Sequence, residues 1–250
     1  MKQLLYLLSY PFSVVFYLFF GITLMIFHVI QWISFNLFGY QAHKKSVDYL
    51  NFFILACLRI LGTTFSFNKP KDIPENAPMV IVSNHQSLWD IPPIIWYLRK
   101  YHPKFVSKIE LQKGIPSVSY NLRYGGSVLI DRNKPEKALR IMKEFAQYLN
   151  RHNRAGVIFP EGTRSRDGRP KKFKKKGLQT LFEQMPHGYV LPISINNSWK
   201  LQRYGMFPIP LGICLEFIIH PAIRISDHEC DTLIDLIEEK IVSKIKMPTN

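Results

Sequence analysis

The sequence predicts an α/β fold: a mixed, mostly parallel sheet flanked by helices, preceded by an N-terminal hydrophobic helical element. Three observations support this prediction: short apolar runs alternate with helical patterns, no internal repeat is present, and a long uncharged segment opens the chain. At 250 residues the chain suits one domain plus a smaller element. We expect N-terminal helices at residues 1–45 and the main domain at residues 46–250, with its core at residues 79–225.

The N-terminal segment is apolar enough for a membrane. From Gln3 to Ala42 there is no Lys, Arg, Asp or Glu, and a spanning helix needs only about 20 apolar residues. Two arrangements fit: a short interfacial piece followed by a spanning helix from about Pro11 to Phe35, or a helical hairpin lying in one leaflet. A pair of buried core helices is the alternative. Lys44 and Lys45 follow the run, which favours a cytoplasmic position for the rest of the chain.

The remaining elements follow from periodicity. A helix is predicted from Tyr49 to Leu61, and a proline-rich loop follows at residues 69–78. Short apolar runs, typical of strands buried on both faces, lie at residues 79–82, 105–106, 128–130, 157–159, 190–193 and 213–219. Helical patterns at residues 135–149 and 231–245 complete the alternation.

The net charge of +15 requires an anionic partner, which is nucleic acid, anionic lipid or a phosphorylated substrate. Eight basic residues lie between Arg164 and Lys176, against the single acid Asp167. Such a run is either a solvated loop or a phosphate-binding surface. The three cysteines form no CxxC pair and no HExxH segment occurs, so neither a disulfide framework nor a metal is expected.

His85 stands in the segment Asn-His-Gln-Ser-Leu-Trp-Asp, between a predicted strand and a helix beginning near Ile91. Ser87 and Asp90 have capping-box spacing, so the acid is expected to fold back toward the imidazole. A carboxylate at one ring nitrogen lets the other accept a proton from a hydroxyl, which is general-base catalysis. The alternative is that both residues only cap the helix. In the catalytic case, N–H groups at the helix start are expected to stabilise an oxyanion.

Charged residues also follow two later predicted strands. Arg132 ends the segment Gly-Ser-Val-Leu-Ile-Asp-Arg at the carboxyl edge of the sheet, where ligands bind in α/β folds. Its planar guanidinium suits a phosphate, although a strand-end salt bridge is the alternative. The next strand ends in Phe-Pro-Glu-Gly-Thr-Arg, which contains Glu161, Gly162, Thr163 and Arg164. A glycine there lets the backbone approach a ligand closely.

Together these segments resemble the glycerophospholipid acyltransferase family, whose best-known bacterial members are 1-acyl-glycerol-3-phosphate acyltransferases. The resemblance rests on NHQSLWD, GSVLIDR, FPEGTR, FKKKG and VLPI, which occur in the family's order between Asn84 and Ile193. The chain departs from the family pattern at Leu129, where an aromatic residue is common, and by an extra lysine in the basic stretch. These departures leave the acyl-chain preference and the exact acceptor open.

The resemblance implies transfer of a fatty acyl group from acyl-CoA or acyl carrier protein to the sn-2 hydroxyl of 1-acyl-glycerol-3-phosphate, forming phosphatidic acid. His85 would be the base, and Asp90 would orient it. The residues implied in lysophospholipid binding are Arg132, Glu161, Gly162, Thr163, Arg164, Lys174 and Lys175. No cofactor is implied. The N-terminal helices resemble a membrane-docking element, which implies the cytoplasmic face of the inner membrane.

Three rival functions are weighed against this expectation. The first is an acyltransferase that acts on another lyso-lipid acceptor. The second is a membrane-tethered lipid hydrolase or phosphatase, which releases free acid or phosphate. The third is a basic, membrane-tethered nucleic-acid-binding protein, which explains the net charge but neither His-x4-Asp nor the apolar N-terminus, so no nucleic acid partner is expected. Because no Gly-x-Ser-x-Gly nucleophile elbow occurs, we expect direct attack by the lipid hydroxyl without an acyl-enzyme.

Overall fold

A computed structural model describes residues 2–68, 70 and 72–247. Within them, one sheet contains the strands β1 (Thr64–Asn68), β2 (Met79–Ser83), β3 (Lys104–Lys108), β4 (Val128–Ile130), β5 (Ala155–Ile158), β6 (Tyr189–Asn196), β7 (Cys214–Ile219) and β8 (Ile223–Arg224). Their order is β1-β7-β6-β2-β5-β3-β4, with β8 beside β6. β6 runs antiparallel to β7 and β8, and the other pairs are parallel. This confirms the predicted mixed, mostly parallel sheet.

The helices in this part of the chain are α1 (Lys2–Ile60), α2 (Ile91–Tyr97), α3 (Val118–Tyr124), α4 (Pro135–His152), α5 (Lys175–Gln184) and α6 (Cys230–Val242). They cover both faces of the sheet. Ile81 of β2 lies in the apolar core shared with α1 and α2, whereas Val80 and Val82 lie in the core shared with α4, α5 and α6. Because successive side chains of a strand point to opposite faces, a strand covered on both sides reads as a continuous apolar run.

The long helix α1 is bent into a hairpin. Gly39 has a φ of 74°, in the left-handed region that glycine adopts without steric cost. The two arms run antiparallel: the rings of Phe27 and Phe53 lie 5.5 Å apart, and Thr23 Oγ1 lies 3.7 Å from Cys57 Sγ. Of the two predicted arrangements, the structure therefore has the helical hairpin. Its second arm includes most of the helix predicted at residues 49–61.

The other arrangement is wrong in placing a break at Pro11, because α1 passes through this residue. Proline removes one helical hydrogen bond, but the helix nearby is fixed to the main domain, since Ser13 Oγ accepts the N–H of Ile209 at 2.8 Å. α1 also passes through residue 45 and ends at Ile60, beyond the boundary expected for the N-terminal element. Among the described residues, the segment Gln3–Ile60 is long and apolar enough to cross a membrane.

Four short elements lie outside the predicted set: β1, β8, α3 and α5. α5 begins inside the basic run, where the sequence indicates a loop or a phosphate-binding surface. Lys69 and Lys71 of the proline-rich loop lie outside the described residues, and the rest of that loop contains no helix or strand.

Candidate active site

The loop after β2 carries His85 to the carboxyl end of the sheet, ahead of a 3₁₀ turn at Leu88–Asp90 and α2. The predicted capping box is present. Ser87 Oγ accepts the N–H of Trp89 at 3.1 Å, and the carboxylate of Asp90 accepts the N–H of Ser87 at 3.0 Å. The turn therefore folds Asp90 back toward His85.

His85 and Asp90 are in direct contact, with Nδ1 2.8 Å from Oδ2. Because a carboxylate oxygen only accepts, Nδ1 carries the proton and Nε2 presents its lone pair. No residue that the structure describes hydrogen-bonds Nε2, and the side chain of His85 is 17% exposed. The imidazole stacks on Phe159, with ring centroids 4.1 Å apart and planes 15° apart. This geometry suits a base that takes a proton from a bound hydroxyl.

Asp90 is fully buried and held by four donors. Besides His85, the N–H groups of Gln86 and Ser87 donate to Oδ2 at 2.7 and 3.0 Å, and the hydroxyl of Ser198 donates to Oδ1. Ser198 follows β6, and its N–H donates to Gln86 Oε1 at 3.1 Å. Ser198 thus positions the acid. The sequence carries no signal for this contact, because serine is common and these two residues are 108 positions apart.

The Phe-Pro-Glu-Gly-Thr-Arg segment after β5 packs on the backbone of His85. Glu161 Oε1 accepts the N–H of His85 at 3.2 Å, and its other oxygen accepts the hydroxyl of Ser165. The N–H of Ser165 in turn donates to the carbonyl of His85 at 2.7 Å. Glu161 is buried, and this burial raises the pKa of its carboxyl to about 7. Both oxygens contact the protein itself, so Glu161 braces the loop that carries His85.

Basic side chains converge on the exposed turn at Gly162 and Thr163. Arg132 Nη1 donates to the carbonyl of Gly162, and Lys171 Nζ donates to Thr163 Oγ1 at 3.0 Å. Lys174 lies over the same turn: a Cβ atom added to Gly162 would be 3.2 Å from Lys174 Nζ. Three cations around one glycine turn are chemically suited to a phosphate.

Arg164 and Lys175 are placed differently from each other. Arg164 is half-buried beside this turn, and its carbonyl accepts Lys171 Nζ at 3.0 Å. Lys175 begins α5 and pairs with Asp235 of α6 at 2.6 Å. The structure therefore gathers the expected lysophospholipid-binding residues except Lys175. It adds Lys171, which belongs to the basic run but lies outside the family motifs FPEGTR and FKKKG.

Four of the N–H groups expected to form an oxyanion hole are already engaged. Those of His85, Gln86, Ser87 and Trp89 all donate to side chains of this site. This expectation is therefore wrong for these four residues. In the ranges that the structure describes, no group of three or more His, Cys, Asp or Glu side chains is placed to hold a metal ion.

The first arm of the α1 hairpin packs directly on the loop. The rings of Phe16 and Phe20 meet the ring of Trp89 edge-on, with centroids 5.5 and 5.7 Å apart. Phe16 is fully buried and Trp89 is nearly so. Since Trp89 precedes Asp90, the apolar hairpin supports the turn that carries the acid.

Comparison with known proteins finds matches along most of the chain. The family described as Acyltransferase matches residues 64–196, more than half of the chain. The crystal structure of the 1-acyl-sn-glycerophosphate (LPA) acyltransferase PlsC from Thermotoga maritima aligns with a TM-score of 0.78 at 24% sequence identity, covering 98% of this chain and 96% of that one. At this identity the likeness is one of fold.

Several curated relatives are named 1-acyl-sn-glycerol-3-phosphate acyltransferase. The protein from Helicobacter pylori is 36% identical over 138 residues, which is 52% of this chain and 56% of the relative. The protein from Borreliella burgdorferi is 24% identical over 205 residues, covering 76% and 77%. A human relative named as the beta form is 28% identical over 131 residues, covering 52% and 46%. The chain spans about half the length of most of these relatives.

Proposed function

Since the chain belongs to the Acyltransferase family, we propose that it transfers a fatty acyl group to the free sn-2 hydroxyl of 1-acyl-glycerol-3-phosphate, forming phosphatidic acid for phospholipid biosynthesis. The observation that carries the proposal is the contact between His85 Nδ1 and the buried carboxylate of Asp90. The names of the bacterial relatives support the choice of acceptor.

The proposed reaction is a direct displacement. Nε2 of His85 accepts the proton of the sn-2 hydroxyl while the oxygen attacks the carbonyl carbon of the thioester. The tetrahedral intermediate collapses as the C–S bond breaks, and the imidazolium returns the proton to the leaving thiolate. Between these steps Asp90 stabilises the imidazolium and keeps the ring in one orientation.

The phosphate of the acceptor is proposed to bind at the Gly162 turn. Arg132, Lys171 and Lys174 already point their charged groups at this turn, and Arg164 lies beside it. The same loop is tied to the backbone of His85 through Glu161. A phosphate held here therefore keeps a fixed distance from the imidazole, which favours attack by one particular hydroxyl.

Alanine at Arg132 or at Arg164 is expected to raise KM for the lysophospholipid by about 10-fold or more, because a hydrogen bond to a charged group contributes roughly 1.5–3 kcal/mol. kcat should change less. Arg140→Ala is the matched control, since this exposed arginine of α4 pairs with Glu144 on the same helix. Steady-state kinetics with varied lysophosphatidic acid measures both constants. Unchanged KM values in both variants would rule out the phosphate site.

The acyl donor is proposed to be acyl-CoA or acyl carrier protein. Both present a thioester on a phosphopantetheine arm, so both bring phosphate to the site. Lys172 and Lys176 are exposed and belong to the same basic run as Lys171 and Lys174. A phosphate-bearing donor and a phosphate-bearing acceptor together account for the need for so many cations near one loop.

The hairpin is proposed to dock the protein on the cytoplasmic face of the cell membrane. Apolar side chains along its first arm are unusually exposed: Leu18 and Met25 are each 59% exposed and Val29 is 57% exposed. An apolar face of this extent marks a membrane or protein interface. Phe16 and Phe20 on the other side of the same helix reach the catalytic loop, so docking brings the active site to the lipid surface.

The triple substitution of Leu18, Met25 and Val29 by aspartate is expected to release the protein from lipid vesicles. Losing about 1.5 kcal/mol of burial at each position predicts at least about 10³-fold weaker partitioning. Met247→Asp, at an exposed residue outside the hairpin, is the control. Cosedimentation with vesicles measures binding, and an unchanged bound fraction would place the anchor elsewhere. Deletion of residues 1–42 is a poor test, because it removes the fully buried Phe16.

A panel of acceptors and donors tests the proposal as a whole. The purified chain is incubated with lysophosphatidic acid, lysophosphatidylcholine or lysophosphatidylethanolamine, each with acyl-CoA or acyl carrier protein, and products are identified by mass. Phosphatidic acid is expected to form fastest. Faster acylation of another lyso-lipid would move the proposal to that acceptor, and free fatty acid as the main product would indicate a hydrolase.

A further inference from the structure

A second polar cluster lies far from His85, at the opposite edge of the sheet. Lys104 is the first residue of β3, whereas His85 lies just beyond the carboxyl end of β2, and both strands run parallel to β5. The second arm of the α1 hairpin covers Lys104 with His43, Lys44 and Asp48. These side chains line a cavity of about 10 Å³. A cavity of this size holds one water-sized group.

The cavity contains an excess of positive charge. Lys104 is 6% exposed, and no carboxylate of the described residues lies within 4 Å of its ammonium group. Asp48 is the acid that lines the cavity, and its Oδ2 already accepts Lys44 Nζ at 2.5 Å. Arg154 lies close by, stacked over Tyr40. Buried ammonium groups are normally paired, so the ammonium of Lys104 lacks the expected counter-charge.

The side chain of His43, which lacks a hydrogen-bond partner, is a second indication of a bound ligand. His43 is fully buried and lines the cavity, yet neither of its ring nitrogens has a hydrogen-bond partner among the residues that the structure describes. A buried imidazole without any partner is costly. A small group placed in the cavity would meet both this ring and the ammonium of Lys104.

We propose that this cavity is a binding site for a monoatomic anion of the size of chloride, held between Lys104 and His43. A volume of about 10 Å³ matches one water-sized group, which favours a monoatomic anion over a larger one such as phosphate. A neutral water would satisfy the imidazole but would leave the ammonium charge uncompensated. Because the anion contacts both the hairpin and β3, it ties the hairpin to the main domain.

The surrounding charges predict how binding depends on pH. Burial, and then Arg154 and Lys44, lower the pKa of Lys104 to about 7, while Asp48 opposes them. Tyr40, His43 and His102 also face this region, and burial lowers the pKa of His102 to about 4. An anion stabilises the protonated ammonium, so it binds more tightly below pH 7 and is released as the pH rises above it.

Thermal unfolding of the full chain in sodium chloride and in sodium gluconate, at equal ionic strength, tests the site. At pH 6 chloride is expected to raise the Tm by about 2–4 °C relative to gluconate, and this difference should shrink at pH 8.5. Lys104→Met should remove the chloride effect whatever its own Tm. Lys108→Met, at an exposed lysine of the same strand, should keep it.

Crystals soaked in bromide give an independent readout, with an anomalous peak expected in the cavity next to Lys104. Equal Tm values for the unsubstituted chain in the two salts, together with a cavity that holds only water, would overturn the proposal. A chloride effect that survives Lys104→Met would also overturn it, because the anion would then act elsewhere on the protein.

Discussion

Replacing His85 by alanine is expected to lower kcat for acyl transfer by about 10²–10⁴-fold, the range that a positioned general base contributes. The protein should still fold, because His85 is partly exposed and its side chain fills no core position. Circular dichroism and Tm check the fold, and initial rates of phosphatidic acid formation measure the loss.

A more conservative substitution separates the effect of losing the base from the effect of losing side-chain volume. Glutamine at His85 keeps a polar side chain over the ring of Phe159 but has no nitrogen that accepts a proton at neutral pH. His85→Gln is therefore expected to be as slow as His85→Ala. Residual activity above a few per cent in either variant would remove His85 from the role of base.

Asparagine at Asp90 is expected to produce the second-largest loss, again about 10²–10⁴-fold in kcat. The carboxylate accepts hydrogen bonds from His85, Gln86, Ser87 and Ser198 at once. An amide has one accepting oxygen, so its NH₂ group faces donors and the imidazole loses its fixed tautomer. KM for the lysophospholipid should change little, because Asp90 is fully buried and its hydrogen bonds go to the His85 loop and Ser198, not to the Gly162 turn.

Asp131→Asn is the matched control for this substitution. Asp131 also follows a strand, and it accepts the N–H of Asn133 at 3.0 Å in a partly exposed loop. It should retain nearly full kcat. If Asp90→Asn were equally active, the buried acid would serve only to cap the helix, which is the alternative that the sequence left open.

The strands with the clearest sequence signal lie inside the sheet, although the apolar run at residues 128–130 also predicted the edge strand β4. β2, β5 and β6 have helices on both faces, so nearly every residue in them is apolar and the run stands out from its surroundings. β1 lies at the sheet edge. In its sequence Thr-Phe-Ser-Phe-Asn polar and aromatic residues alternate, and all five are partly or fully exposed. An edge strand buries less apolar surface, which weakens its signal.

The hairpin shows a different limit of sequence patterns. The absence of charge identified the segment as apolar, but composition does not specify where a helix turns. Gly39 makes the bend through its positive φ, whereas Pro11, the stronger helix breaker by local rules, stays inside the helix. The first arm packs against the loop at Ile209 and against Trp89, and this packing keeps the helix continuous at Pro11. Such tertiary contacts override local propensity.

Within the candidate site, the sequence indicated the functional residues that follow strands but not the residues that hold them in place. The spacing of Ser87 and Asp90 was enough to predict the turn that joins His85 to its acid. Ser198 and Lys171 depend on loops whose paths are set by the whole fold. Lys174 and Lys175 are adjacent in sequence, yet only the first reaches the Gly162 turn, because α5 begins between them and directs the second toward Asp235.

The most direct test of the proposed chemistry is the fate of a labelled acyl group in a single turnover. The purified chain, in vesicles, is mixed with lysophosphatidic acid and a radiolabelled acyl donor, and the lipid, free-acid and protein fractions are separated. We expect the label in phosphatidic acid, with none retained on protein, and transfer by His85→Ala that is slower by at least about 10²-fold. Label that accumulates as free fatty acid or on the protein, or transfer by His85→Ala at close to the original rate, would contradict direct attack by a hydroxyl that this imidazole deprotonates.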